Sequence, residues 1–329
     1  MRMKLKLLVG LGVLCIVFTA LVIWQRPSKV VQKAPETVES PTKTEQAQSV
    51  PAWSAGAPAP VPAEATPTDL SGVPASVRPI VDLQENSRTR IMAVGLLRRL
   101  SGQEGEALYA FLRQRNPEDE TQLGHVIKND LLDVLCLEDP LPNGLRELMT
   151  DMFEDRGQNV VIRDYALQHL IAIHDRPGNG PGGTGALEQI LWGALTETDS
   201  SIAGTALIGL QRLSIGRADF DRERLSSTAL GLIRDDAAEL TQVTALQVCA
   251  ALGLTDSLPV ATALAASSRS VPVRISAIGA VGTLGTDAEL GLINSILAGN
   301  DDRVRPAAML AATKIRQRLD EKATAATNL

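Results

Sequence analysis

The chain has 329 residues, 44% of them apolar and 21% charged, which is enough apolar material for a sizeable core and excludes disorder throughout. Only 3% are aromatic, and six aromatics lie beyond residue 80, so that core must be aliphatic. Three histidines and three cysteines leave little for a metal centre or a thiol relay. Residues 1–79 carry a net +3 and residues 80–329 a net −9, and an acidic folded region repels phosphate backbones.

The first element is apolar. Arg2, Lys4 and Lys6 form a basic start, and Leu7 to Trp24 then runs 18 residues without a charge. As a helix that stretch is roughly 27 Å long, close to the hydrocarbon thickness of a bilayer. Trp24 and Arg26 stand where interfacial residues would stand. A cleavage site ending at Ala20 would place Phe18 at a position that wants a small side chain. Residues 1–24 are therefore expected to be an uncleaved membrane anchor spanning 7–24, with a cleaved signal peptide and secretion as the alternative. The short head is expected in the cytoplasm and the long part on the periplasmic or extracytoplasmic side.

Residues 25–74 are a different material. Nine prolines lie between Pro27 and Pro74, and Ala57-Pro58-Ala59-Pro60-Val61-Pro62 has proline at every second position. Such a segment builds no core and favours extended states, so it reads as a disordered Pro/Ala/Thr-rich linker.

From residue 75 the chain repeats. Val273-Arg274-Ile275-Ser276-Ala277 matches Val304-Arg305-Pro306-Ala307-Ala308, and aligning on the last alanine gives anchors at Ala93, Leu131, Ala166, Ala206, Ala245, Ala277 and Ala308. Their spacings run from 31 to 40. Four residues after each anchor stands an apolar residue: Leu97, Leu135, Leu170, Leu210, Cys249, Val281 and Ala312. Seven after it come Leu100, Ile173, Leu213, Leu252, Leu284 and Ile315, with Glu138 the departure in copy two. This spacing puts them on one helix face. A small anchor lets a neighbouring helix approach closely.

A second amphipathic stretch precedes each anchored helix: Ser76–Leu83, Glu106–Leu112, Leu145–Phe153, Leu187–Leu195, Leu225–Ile233, Leu258–Leu264 and Leu290–Leu297. Pro79 fits the first of these only in its first turn. Gly253-Leu254-Thr255-Asp256 and Gly285-Thr286-Asp287 each offer a glycine to end one helix and a Thr or Asp to cap the next. The expectation is seven helix pairs over residues 75–319, then a polar tail over 320–329.

The Val-Arg-x-x-Ala cores and the Leu-Gly-Thr-Asp turn at Leu284–Asp287 resemble the HEAT-repeat family, including bacterial HEAT-like repeats of the phycobilisome-lyase type. The resemblance covers about residues 75–319 and is strongest in the last three copies. It implies an all-α fold, a right-handed α-solenoid of about seven HEAT-like helix pairs with a concave and a convex face. It implies binding far more often than catalysis.

Three residues before the anchor stand Arg90, Lys128, Arg163, Arg274 and Arg305, with Ala203 and Gln242 in copies four and five. They suit a ladder of ion pairs between copies, or alternatively a row facing a ligand. Other candidates weigh less. Residues 178–185 match G-x-G-x-x-G twice, from Gly178 and Gly180, but follow a helix where a dinucleotide site needs a strand. His169 and His174 are about 140° apart on a helix and share no face, and His125 stands alone. His174 should fall at a helix end. Cys136 and Cys249 read as buried hydrophobes three copies apart. Glu118-Asp119-Glu120 and Glu154-Asp155 lack the alternation of a calcium loop and read as solvated turns.

These features predict a membrane-tethered, non-catalytic scaffold that holds a protein or peptide partner in its groove. No catalytic, cofactor or metal residue is expected. The alternatives are an enzyme or enzyme subunit akin to phycobilisome-lyase-type proteins, and a nucleic-acid-binding solenoid. The last would need a basic groove from Arg88, Arg90, Arg98, Arg99, Arg113 and Arg115.

Overall fold

The computed structural model describes residues 70–327 apart from 175, 177–181 and 235. The chain divides into two units, Met1–Pro60 and Val61–Leu329, and every described residue belongs to the second. The expected anchor over 7–24 and most of the linker lie outside the described residues. No helix among the described residues is long and apolar enough to cross a membrane.

The described residues form fourteen α-helices and no strand. They are α1 (Arg78–Val81), α2 (Ser87–Leu96), α3 (Gly102–Arg113), α4 (Gln122–Leu137), α5 (Leu145–Glu154), α6 (Val160–Ala172) and α7 (Gly182–Ala194). Then follow α8 (Ile202–Ser214), α9 (Arg222–Gly231), α10 (Glu239–Leu252), α11 (Leu258–Ser267), α12 (Val271–Leu284), α13 (Asp287–Ala298) and α14 (Arg305–Thr327). Copies one to seven each supply an odd helix and then an even one. The all-helical chain is consistent with an α-solenoid. Every even helix packs on the even helix of the next copy, in an unbroken row from α2 to α14. Within copies, α1 packs on α2, α5 on α6, α7 on α8, α9 on α10, α11 on α12 and α13 on α14.

Local chemistry sets the ends of these helices. Pro79 sits in the first turn of α1, where its missing N–H costs nothing. Ser101 and Thr286 each close a capping box, with Glu104 and Glu289 three residues on. Gly253 ends α10 at φ 71, a left-handed conformation that a side chain would strain. Gly285 ends α12 in an extended conformation instead. Thr255 opens a short 3-10 turn and does not cap α11. The glycine-rich stretch is shorter than it reads, because α7 already begins at Gly182.

The anchors lie on the even helices. Leu131, Ala166, Ala206, Ala245, Ala277 and Ala308 are fully buried, and Ala93 is half-buried. All seven residues one helical turn later are buried as well. The core is one continuous, largely aliphatic cluster running from Val77 to Ile315, with Phe111, Phe153 and Phe220 its aromatic members. Burial of this kind contributes about 25 cal/mol per Å² of apolar surface and is the main stabilising term in a stack of repeats.

Candidate functional site

Two chemically distinct features run along the even row. One is the set of cations three residues before the anchors. Arg90 Nε donates to the Ile80 carbonyl at the end of α1, and its Nη1 reaches both Glu118 oxygens at 2.6 and 2.7 Å. Arg163 repeats the arrangement, with Nε on the Phe153 carbonyl and the two Nη atoms on Glu197 at 2.7 and 2.9 Å. Arg274 repeats it with the Ala265 carbonyl and Asp301. In each case the carbonyl belongs to the residue's own copy and the acid to the turn that opens the even helix of the next copy. Each cation thus neutralises carbonyls left open where an odd helix ends, and ties successive copies together.

Lys128 departs in one respect. Its Nζ reaches the Leu112 and Gln114 carbonyls and then Asp119 of its own copy at 2.8 Å. Burial pushes its ammonium below the ordinary range, and Asp119 draws it part of the way back. Burial would raise the Glu197 carboxyl, but Arg163 and Arg156 together hold it below its ordinary range. Phe111 lies under both Arg90 and Lys128, 5.9 and 5.7 Å from its ring centre, and Phe153 lies under Arg163 at 5.3 Å. Arg90, Lys128 and Arg163 are buried and offer no ligand-facing surface: Arg90 and Arg163 join successive copies, and Lys128 ties the two helices of its own.

The same geometry corrects the acidic turns. Asp119 is buried and Glu118 is an ion-pair partner, where solvated groups are expected from sequence. Glu120 accepts from Asn159 Nδ2 at 2.8 Å, and Asp155 takes Arg115 in a two-point pair at 2.8 and 2.5 Å. Arg90, Arg113 and Arg115 thereby meet Glu118, Asp151 and Asp155, and Arg98 turns to the Gly95 and Leu97 carbonyls. These pairings interrupt the basic groove that those arginines could otherwise form.

The second feature is a polar band where α4, α6 and α8 run side by side. Asn129 and Asp130 on α4, Tyr165 and Gln168 on α6, and Thr205 on α8 are half-buried, and Asp133 is exposed. Beneath them are two buried titratable groups. Ser201 Oγ donates to Asp164 Oδ2 at 2.5 Å, and Thr205 and Gln168 flank the same buried carboxyl. Burial pushes the Asp164 carboxyl up, and hydrogen bonds from Ser201, Thr205 and Gln168 draw it part of the way down. His169 Nε2 lies 3.2 Å from Asn129 Oδ1, and its Nδ1 lies 3.7 Å from Asp133. Burial pushes this imidazole down to about 4, because the Asp133 charge is open to screening water. His169 is therefore neutral at pH 7. The band offers hydrogen-bond acceptors and negative charge.

The remaining candidates separate. His174 follows the end of α6, as its position suggests, and His125 on α4 keeps Nε2 buried without a partner. Burial pushes the Cys136 and Cys249 thiols up to about 12, which suppresses the reactive thiolate. No group of three or more His, Cys, Asp or Glu suited to a metal ion occurs among the described residues. Sequence reasoning missed the polar band. Its signal was available in the substitution of Asp130, Tyr165 and Thr205 at one equivalent place, immediately before the anchor.

The chain matches no family model and no curated protein. Among solved structures it is similar to human deoxyhypusine hydroxylase in complex with glycerol, at 17% identity and a TM-score of 0.33. The match covers 74% of this chain and 95% of that one. A likeness this loose transfers neither fold nor activity. It does correct one expectation. The sequence suggests a chain that is not an enzyme, yet the solved protein it is similar to is by name an enzyme, and the exclusion of catalysis is withdrawn.

Proposed function

We propose that the helical array is a HEAT-like docking platform for a protein or peptide partner, bound along the row of even helices. The observation that supports this most is the polar band over α4, α6 and α8. Asp130, Asp133, Tyr165 and Gln168 form a water-accessible acidic and amide stretch on a regularly stacked row. Acidic and amide groups beside a tyrosine suit a segment that brings cations and backbone hydrogen-bonding groups. In this proposal residues 7–24 hold the chain to a membrane, and residues 25–74 let the array reach its partner on the extracytoplasmic side. Tethering would raise the local concentration of weak contacts. The role is compatible with catalysis, either in the array or in an enzyme to which it docks.

Photo-cross-linking tests it. A photoreactive residue replacing Gln168 in the full chain should capture a partner, and the same group replacing Val260 on α11 should not. Adding Asp130→Lys and Asp133→Lys should abolish capture at 168. Equal capture at both places, or capture indifferent to the charge reversal, contradicts the proposal.

A further inference from the structure

Each internal copy buries two strips of its even helix against its neighbours. A Cβ on Gly282, five residues after its anchor, would lie 2.7 Å from Ala311, three residues after the next anchor. Ile171 meets Gly209 in the same register three joints earlier. Residues four apart share a helix face. The places one and five after the anchor therefore face the next copy. The places one before and three after it face the previous copy.

The two ends of the described array depart from this rule in complementary ways. In six copies the residue one after the anchor is at most 2% exposed: Val94, Leu132, Leu167, Leu207, Leu246 and Ile278. In the seventh it is Met309, 59% exposed. Three after the anchor, His169, Gly209, Val248, Ala280 and Ala311 are buried. In the first copy that place holds Leu96, 73% exposed, with Met92 one turn before it at 57%. Charge follows the same pattern. Arg163 and Arg274 each reach an acid in the turn before a later even helix, whereas Arg305 has a 44% exposed side chain and pairs with Asp302 of its own turn. The corresponding turn before α2 carries exposed Glu85.

We infer that these ends are the two halves of one interface and that copies of this chain associate head to tail. Met309 of one copy packs on Met92 and Leu96 of the next, and Arg305 lies beside Glu85. A second copy is the occupant because it alone continues, at both ends, the joint that the chain already makes between its own copies. Terminal repeats of a stack otherwise need a polar outer face. The contact is heterologous, so it grows into rods or closes into rings.

Sedimentation of the full chain in detergent micelles, over a concentration series, tests this. The wild-type mass should rise with concentration. Leu96→Glu and Met309→Glu should each weaken self-association by about tenfold or more. Each variant keeps one intact end, so an equimolar mixture should form a heterodimer and nothing larger. Arg305→Glu should weaken assembly, and adding Glu85→Arg should restore it. All these residues are solvent-exposed, and unchanged helical circular dichroism verifies that the variants fold. A wild-type monomer at every concentration overturns the inference, which is also the result if the chain's own preceding segment covers Leu96. So does growth insensitive to both glutamates, or a mixture that fails to dimerise.

Discussion

The early and late copies of the array solve the same packing problem differently. Copies one to three place a buried cation three residues before the anchor, and Phe111 and Phe153 lie beneath these cations. Copies four and five put Ala203 and Gln242 there, and no aromatic follows Phe220. The joint of copies four and five closes through small residues, where Gly204 meets Thr244, and the joint of copies six and seven combines a half-buried pair, Arg274 with Asp301, with the close approach of Gly282 to Ala311. The row of even helices is unbroken through both regions. The register of the stack is therefore carried by the small anchors and the apolar residues after them. Charge and close backbone approach are two ways to lock it, and the balance shifts from the first to the second along the array. A buried charge is vulnerable to losing its partner, and a close approach is vulnerable to one added methyl.

Breaking the charged half should have the largest effect. Lys128→Met leaves Asp119 as an unpaired buried carboxylate and should cost about 3–5 kcal/mol in urea unfolding. Adding Asp119→Leu should recover much of that loss. A single variant as stable as the wild type would mean that the pair is open to water.

Acid should separate the halves next. His169 has a folded pKa of about 4 against an ordinary 6.5, so the native state prefers the neutral ring. Its stabilising effect is complete above the unfolded value and declines as pH falls from 6.5 towards 4. Over that window the loss should be on the order of 3 kcal/mol, and His169→Gln should remove that part of the pH dependence. Unfolding curves at several pH values check this. A slope shared by wild type and variant would contradict it.

The later copies should respond to an added methyl. Gly282→Ala sets a Cβ against the Ala311 backbone and should cost about 1–3 kcal/mol, since no side-chain rotation relieves the contact. Arg274→Met, at a half-buried rung in the same region, should cost only about 1 kcal/mol. Thermal melts rank the two, and a reversed order would erase the distinction between the halves.

Much of this architecture was legible in the sequence. Periodicity found the even helices because each needs a small residue and then an apolar one on a single face, and Ala245, Ala277 and Ala308 are buried as that requires. It placed α5 to within one residue of its end. The ladder's partners were harder to read. Arg90 and Arg163 take their acids 28 and 34 residues on, in turns of unequal length, so no fixed spacing marks Glu118 or Glu197. Asp119 looked solvated because an acidic turn gives no sign that Lys128 folds back over it. The polar band was obscured for another reason. Each of its residues is an ordinary surface residue on its own helix, and only stacking brings Asn129 beside His169 or Ser201 beside Asp164.

Successive copies are coupled along one row. A double-mutant cycle on Arg163 and Glu197, using Arg163→Met and Glu197→Gln in urea unfolding, measures that coupling across a single joint, because the two residues belong to different copies. Stacking as described predicts a coupling of about 1 kcal/mol or more. Effects that add to within about 0.3 kcal/mol would contradict it.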